Sequence, residues 1–209
     1  MPKQVDHEER RGQISQALWR IAAERGLEAV SMREVATAAG MSIGLVQHYF
    51  PSKDEMLVYA TSRLRERLGE RIRRGLAAVP LPASPAAQLR ALLTALLPTD
   101  PDSRAETLVG VAVFIRALND PSMADRYREG RAQLAAAVAD LLQKAGPAKD
   151  GDAQRGEEAA LAADTLLALV DGLASDLLLG HLTTERALRI LNGQITRLGH
   201  RTSTGPPPH

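Results

Sequence analysis

Cysteine is missing from the sequence altogether. That excludes a disulfide, a thiolate zinc site and a cysteine nucleophile. Aromatic residues are nearly missing too, at 3%, with one Trp, three Tyr and two Phe. The core must therefore be built from Leu, Ala and Val, for which a hydrophobic share of 44% is ample. Strand-like alternation persists nowhere, and the content of Leu, Ala, Arg and Glu favours helices. The predicted fold class is all-α. The signatures HExxH and GxSxG and the Walker-type glycine loop are also lacking, and the five histidines are scattered. His7 and His209 fall in predicted tails and His200 lies near one. His181 closes a helix, where a cation usually serves as a C-terminal cap. These absences predict a protein that is no enzyme and holds no metal or cofactor.

No stretch reads as a membrane span. Residues 160–180, ALAADTLLALVDGLASDLLLG, come nearest in length. Asp164, Asp171 and Asp176 interrupt them, and basic flanks are lacking. The amino-terminal MPKQVDHEERR is polar, without the apolar run of a signal peptide, so the expected location is a bacterial cytoplasm. The formal net charge is only +1. Its distribution is uneven, with 13 Lys/Arg against 10 Asp/Glu in residues 1–75 and 13 against 15 in residues 76–209. A slightly basic first part suits one region meeting phosphate and another meeting something else.

The most informative stretch is residues 31–53, SMREVATAAGMSIGLVQHYFPSK. Ser31 and Glu34 have the spacing of a capping box, the hydroxyl taking a free backbone N–H and the carboxylate reaching back to the cap. Val35, Ala36 and Ala39 then share a face small enough for close helix packing. Gly40 stands where a helix end favours the left-handed conformation. Ser42 caps a second helix over 43–49, whose Val46 and Tyr49, with Phe50, recur at inward-facing spacing. Pro51 ends it, and Ser52 with Glu55 repeats the capping box for the next helix. Two short helices about a glycine turn make a helix-turn-helix. The second helix exposes Ser42, Ile43, Gly44, Gln47 and His48, small or hydrogen-bonding groups with no acid, a face suited to close approach to DNA. The alternative is an interaction protein whose helix-turn-helix is purely structural, but such a helix has no reason to avoid acids there.

Residues 39–57, AGMSIGLVQHYFPSKDEML, resemble the second half of the DNA-binding domain of the TetR family of transcriptional repressors. The features that match are the small residue and Gly before the turn, Ser at the helix start, Gly at its third position, the terminal aromatics and the Lys of the next cap. His48-Tyr49-Phe50 resembles the choline-responsive branch, whereas Gln47 stands where many members carry Tyr. The resemblance implies an N-terminal three-helix DNA-binding domain which, with its linking helix, covers 8–75. A C-terminal helical domain for effector binding and dimerisation follows over 84–199, with about nine helices in all. It also implies a homodimer that binds a palindromic, double-stranded operator DNA and answers to a small-molecule effector. In that reading Gly44 lets the backbone approach the groove, and Gln47 pairs with adenine. Ile43 and Leu45 meet thymine methyl groups, and Ser42 binds phosphate or base beside His48. Arg33, Tyr49 and Lys53 hold phosphates, Lys53 with help from the positive end of its helix. Burial beneath the reading helix is the alternative for Tyr49, and Phe50 is assigned to the core.

Ahead of the motif, residues 1–7 read as a mobile arm and 8–26 as the first helix, with Ile14, Leu18, Ile21 and Ala22 on one stripe and Trp19 packing beside it. Arg10 and Arg11 either approach phosphate or are solvated. The fourth helix is expected over 53–74. VPLPASP at 79–85 is the clearest break in the chain. Ser84-Pro85, Asp100-Pro101 and Asp120-Pro121 each pair an N-cap with a Pro at the first helical position, starting helices that end near 97, 118 and 145. A polar loop over 146–156, helices over 159–180 and 184–198, and a disordered TSTGPPPH tail complete the chain.

Leu108, Val111, Ile115 and Leu118 form a stripe expected to face the second domain's core. Beside it, Phe114 is a candidate wall of an aliphatic effector pocket, with Arg116 or Asp171 to orient a polar group. The alternatives are Phe114 in the core, Arg116 in a surface pair and Asp171 hydrogen-bonded between helices. The helix over 159–180 is apolar nearly all round, which leaves one face for a partner subunit. Leu173 and Leu177, with Leu188, Leu191 and Ile195 of the next helix, are expected at that dimer seam, a larger monomer core being the alternative.

Overall fold

The structure is a computed structural model and describes residues 2–145 and 152–201. Among them every regular element is helical. In chain order these are α1 (Pro2–Arg25), a 3-10 turn (Leu27–Ala29), α2 (Met32–Ala39), α3 (Ile43–Tyr49), α4 (Lys53–Ala77) and α5 (Pro85–Ala95). Then come α6 (Pro101–Ala117), α7 (Pro121–Ala145), α8 (Asp152–Leu179) and α9 (Thr184–Arg201). The expected tail at 202–209, with His209, and the first part of the expected loop at 146–156 lie outside the described residues.

Local chemistry accounts for most boundaries. The Glu34 N–H donates to Ser31 Oγ at 3.1 Å to open α2, and Gly40 closes it at φ 66°, a left-handed conformation that a Cβ disfavours. Glu34 does not complete the capping box. Its carboxylate pairs with Arg25 of α1 instead, tying the two helices together. A full reciprocal box does form at α6, where the Ser103 N–H donates to Asp100 at 2.9 Å and the Asp100 N–H donates to Ser103 Oγ at 3.0 Å. Two starts differ from expectation. α1 begins at Pro2 rather than at Glu8, because nothing between them breaks a helix and Pro is tolerated in a first turn. α8 begins at Asp152 rather than near 159. The polarity of DAQRGEE suggested a loop, yet Ala, Gln, Arg and Glu are strong helix formers and a lone Gly156 does not stop them.

The chain divides into two compact units. The first consists of Met1–Arg67 and Asp100–Asp120, which brings together α1 to α3, residues 53–67 of α4, and α6. Ile14, Leu18, Ile21 and Ala22 of α1 are buried with Val30, Val35, Val46, Phe50, Met56 and Leu57. Trp19 is buried as expected, with the Arg67 guanidinium 4.3 Å above its ring. α6 packs against α1 but presents a different face from the expected one. Val111, Ile115 and Leu118 are 42, 56 and 68% exposed, while Ser103, Glu106, Val109, Val113 and Ala117 are buried. A shift of two positions on a helix of about 3.6 residues per turn is the opposite side. Close contact favours the small residues of that face, and Glu106 is drawn inward by Arg67 at 3.7 Å.

The second unit consists of Leu68–Thr99 and Pro121–His209, with α5, α7, α8, α9 and residues 68–77 of α4 among its described parts. Its core is aliphatic throughout: Leu89, Leu93 and Leu97, Val138 and Leu142, Leu166, Leu167 and Val170, then Ala187. Leu173, Leu177, Leu191 and Ile195 belong to the same core at 4, 8, 0 and 4% exposure, and Leu188 packs partly against it. These are the five residues expected at a dimer seam; four of them are buried within the subunit and Leu188 is partly buried. α8 packs on both α7 and α9, so most of its apolar circumference is used inside the subunit. The face of α8 left outside is a different strip, Leu161, Thr165, Ala168, Gly172, Ser175 and Leu179, with the exposed Asp164 and Asp171 beside it.

Candidate nucleic-acid interface

The reading head is built from the short helices α2 and α3 held on α1. Val35 and Ala36 of α2 and Val46 of α3 face inward, and Phe50 caps that small core at 0% exposure. The Leu45 N–H donates to Ser42 Oγ at 3.2 Å and starts α3. With Val46 and Phe50 fixed inside, the rest of the helix must face out. Ser42, Ile43, Gly44, Leu45, Gln47 and His48 are all exposed, Ile43 and Leu45 at 41 and 38% despite being apolar. Nothing lies within 4 Å of where a Cβ on Gly44 would sit, so that point of the helix backbone is bare to an approaching surface. α3 contains no acidic residue.

The flanks carry the expected cations. Arg33 is exposed on α2, and Lys53 is the first residue of α4, whose opening turn is capped by Ser52 accepting the Glu55 N–H at 3.1 Å. The positive end of a long helix and a lysine at its first position together favour an anion. Tyr49 is half-buried at the edge of α3, its ring 4.8 Å from His7 and 5.3 Å from His48. Neither of the two roles considered for Tyr49, phosphate contact or burial, is complete in this placement.

Several contacts here join residues far apart in sequence. The Arg11 guanidinium lies 4.8 Å from the Phe50 ring centre and 4.3 Å from that of Tyr59. Arg11 is therefore neither a free phosphate contact nor a solvated charge. Tyr59 donates to Glu8 at 3.0 Å. Burial, and then that hydrogen bond, push the Tyr59 hydroxyl above its ordinary value. Arg116 of α6 pairs with Asp54 at 2.7 Å, and Arg131 of α7 pairs with Asp171 of α8 at 2.8 Å. Arg116 and Asp171, considered for an effector pocket, are thus engaged in ion pairs, as their alternatives anticipated. Phe114 is 42% exposed on α6, so it is not core. The signals missed were long-range: no local pattern announces a partner 62 positions away.

An acid-free, outward-facing second helix with cations on its flanks defines a helix-turn-helix DNA-binding protein of the transcription-regulator kind. Comparison with known proteins specifies the family. The profile for bacterial regulatory proteins of the tetR family matches residues 14–60, and that for the C-terminal part of BetI-type transcriptional repressors matches residues 85–200. The chain belongs to the TetR family. It is 36% identical to the HTH-type transcriptional regulator PksA of Bacillus subtilis over 83% of this chain and 81% of that protein. It is 32% identical to the HTH-type transcriptional regulator BetI of Burkholderia mallei over 95% of this chain and 97% of that one. Among solved structures, a transcriptional regulator from Rhodococcus sp. Rha1 superposes with a TM-score of 0.79 at 34% identity, covering 94% of this chain and 99% of the other. A putative regulator from Saccharomonospora viridis in complex with choline gives 0.78 at 27% identity, covering 90 and 96%. These relatives are regulators of transcription, not enzymes. Among the described residues no helix is long and apolar enough to cross a membrane.

Proposed function

We propose that the protein is a ligand-responsive repressor that binds a palindromic operator as a homodimer in the bacterial cytoplasm. The observation that carries this reading is the outer face of α3, where two branched apolar residues and two hydrogen-bonding ones surround a bare glycine and no acid intrudes. Gln47 offers a bidentate pair to adenine, Ile43 and Leu45 meet thymine methyl groups, and His48 extends the same face. Ser42 Oγ already accepts a backbone N–H, so its O–H remains to donate to phosphate. Arg33, Tyr49 and Lys53 hold the flanking phosphates and set the register.

The subunits meet through the outer strip of α8, from Leu161 to Leu179, together with Ile190 and Gly193 of α9. Small residues at the middle of that strip, Thr165, Ala168, Gly172 and Ser175, let two helices approach closely, and the leucines close its ends. The effector acts on the region matched by the BetI-type profile. A quaternary ammonium is usually held by several aromatic rings, and residues 85–200 contain only Phe114 and Tyr127. An aliphatic effector therefore fits this chain better than the choline held by the Saccharomonospora protein, and Phe114 remains a candidate apolar wall.

Selection of duplexes from a random pool, followed by binding of variants, tests the reading. Gln47→Ala should change base preference at one position per half-site, by about 1–3 kcal/mol. Small aliphatic compounds should stabilise the protein and release the operator, and Phe114→Trp should blunt that response while leaving DNA binding intact. A selection that enriches no sequence, or a Gln47→Ala protein with unchanged preferences, would remove α3 as the reader.

A further inference from the structure

The phosphate grip proposed for the start of α4 has two acids in its first turn, Asp54 and Glu55. Asp54 directly follows Lys53 in the first turn of α4, and its side chain is 68% exposed. A bare carboxylate beside a phosphate-binding lysine opposes the same anion that the lysine attracts. The carboxylate is not bare. Arg116, near the end of α6, donates to it at 2.7 Å. The two residues are 62 positions apart, yet both belong to the first compact unit. An exposed ion pair adds little to stability, so folding alone is a poor account of it.

The placement of α6 makes the contact reproducible. Earlier on the same helix, Glu106 is 8% exposed and faces Arg67 of α4 at 3.7 Å. Arg67 in turn covers the Trp19 ring of α1 at 4.3 Å. Val109, Val113 and Ala117 are buried on the same side of α6. The helix is thus seated by packing and by a largely buried acid, and its last turn delivers Arg116 to the first turn of α4.

We infer that Arg116 is a positioning residue of the DNA interface: by pairing with Asp54 it masks the acid next to Lys53 and keeps the start of α4 attractive to phosphate. This rests on the reading of Lys53 as a phosphate anchor. Arg116 does its work without touching DNA, through Asp54. A change that draws the last turn of α6 away from α4 unmasks the carboxylate and loosens every DNA complex alike, whatever its sequence.

A double-mutant cycle on the full chain tests this. Wild type, Arg116→Gln, Asp54→Asn and the double variant are titrated with the selected operator and with a scrambled duplex of equal length, and thermal unfolding checks that each is folded. Arg116→Gln should weaken both duplexes by about fivefold, as expected for one unscreened charge near the backbone. In the Asp54→Asn background the same change should have almost no effect, because the acid it masks is gone. If Arg116→Gln is equally damaging in both backgrounds, Arg116 acts by its own charge and the inference fails. It also fails if Arg116→Gln is silent in the wild-type background. Lys53→Ala, measured alongside, separates the two levels. If Lys53→Ala leaves affinity unchanged, the anchor itself is misplaced. If it weakens binding while Arg116→Gln is silent, only the role of Arg116 is refuted.

Discussion

Leu177→Ala separates the subunit core from the subunit interface. Leu177 is 8% exposed and belongs to the aliphatic core of the second unit. Truncation removes three carbons, about 0.8 kcal/mol each by transfer, and leaves a cavity whose cost is added to that. Together these give about 3 kcal/mol of destabilisation. For a chain of this size each kcal/mol lowers the melting temperature by roughly 2–4 °C, so a drop on the order of 6–12 °C is expected. Unfolding followed by far-UV circular dichroism at several protein concentrations measures it, with light scattering to give the mass in solution. The drop should persist at the highest concentration, because it belongs to the subunit and not to mass action between subunits. Ala168→Glu on the exposed strip of α8 is the counterpart: it should leave the subunit folded and halve the mass. A Leu177→Ala protein that melts like the wild type but dissociates, or an Ala168→Glu protein that remains a dimer, refutes this placement of core and interface.

Two further outcomes follow from local geometry. Gly40→Ala places a Cβ on a residue at φ 66°, and should cost about 1–2 kcal/mol in urea unfolding although open space surrounds the new methyl group. The Tyr59 hydroxyl is raised above 10.0, mainly by burial and then by its bond to Glu8. The folded protein therefore holds that proton more tightly than the unfolded chain does. Its contribution is complete below pH 10 and is lost as pH rises through the folded value. Glu8→Gln should bring the phenolate absorbance transition of Tyr59 to lower pH.

The helix-turn-helix could be read almost to the residue, because each of its boundaries is set locally. Ser42, Gly40 and Ser52 act within three or four positions of themselves, and Val46 and Phe50 announce the buried side by spacing alone. Helix starts at Pro85, Pro101 and Pro121 were legible for the same reason. α6 was not. Its richest apolar stripe, with Ile115 and Leu118, lies outside, while Ser103 and Glu106 lie inside, because a reciprocal cap and Arg67 satisfy the polar groups there. Periodicity counts apolar residues and cannot see such partners. The second unit was ambiguous for a different reason. Leu173, Leu177, Leu191 and Ile195 look like a seam from composition, but α8 has neighbours on two sides and needs its leucines for them. Its outward strip is marked by small residues, which carry a weak hydrophobic signal.

The position of Trp19 has a practical consequence. It is the only indole in the chain, it is 6% exposed, and a guanidinium from α4 lies over its face. Red-edge excitation therefore isolates one point, where α1 and α4 meet beside α6, without a label or an engineered probe. A sheltered indole under a cation emits differently from one that has met water. The wavelength of emission thus becomes a continuous gauge of how tightly α4 is seated on α1. The same cuvette can follow that gauge through a titration with duplex or small molecule.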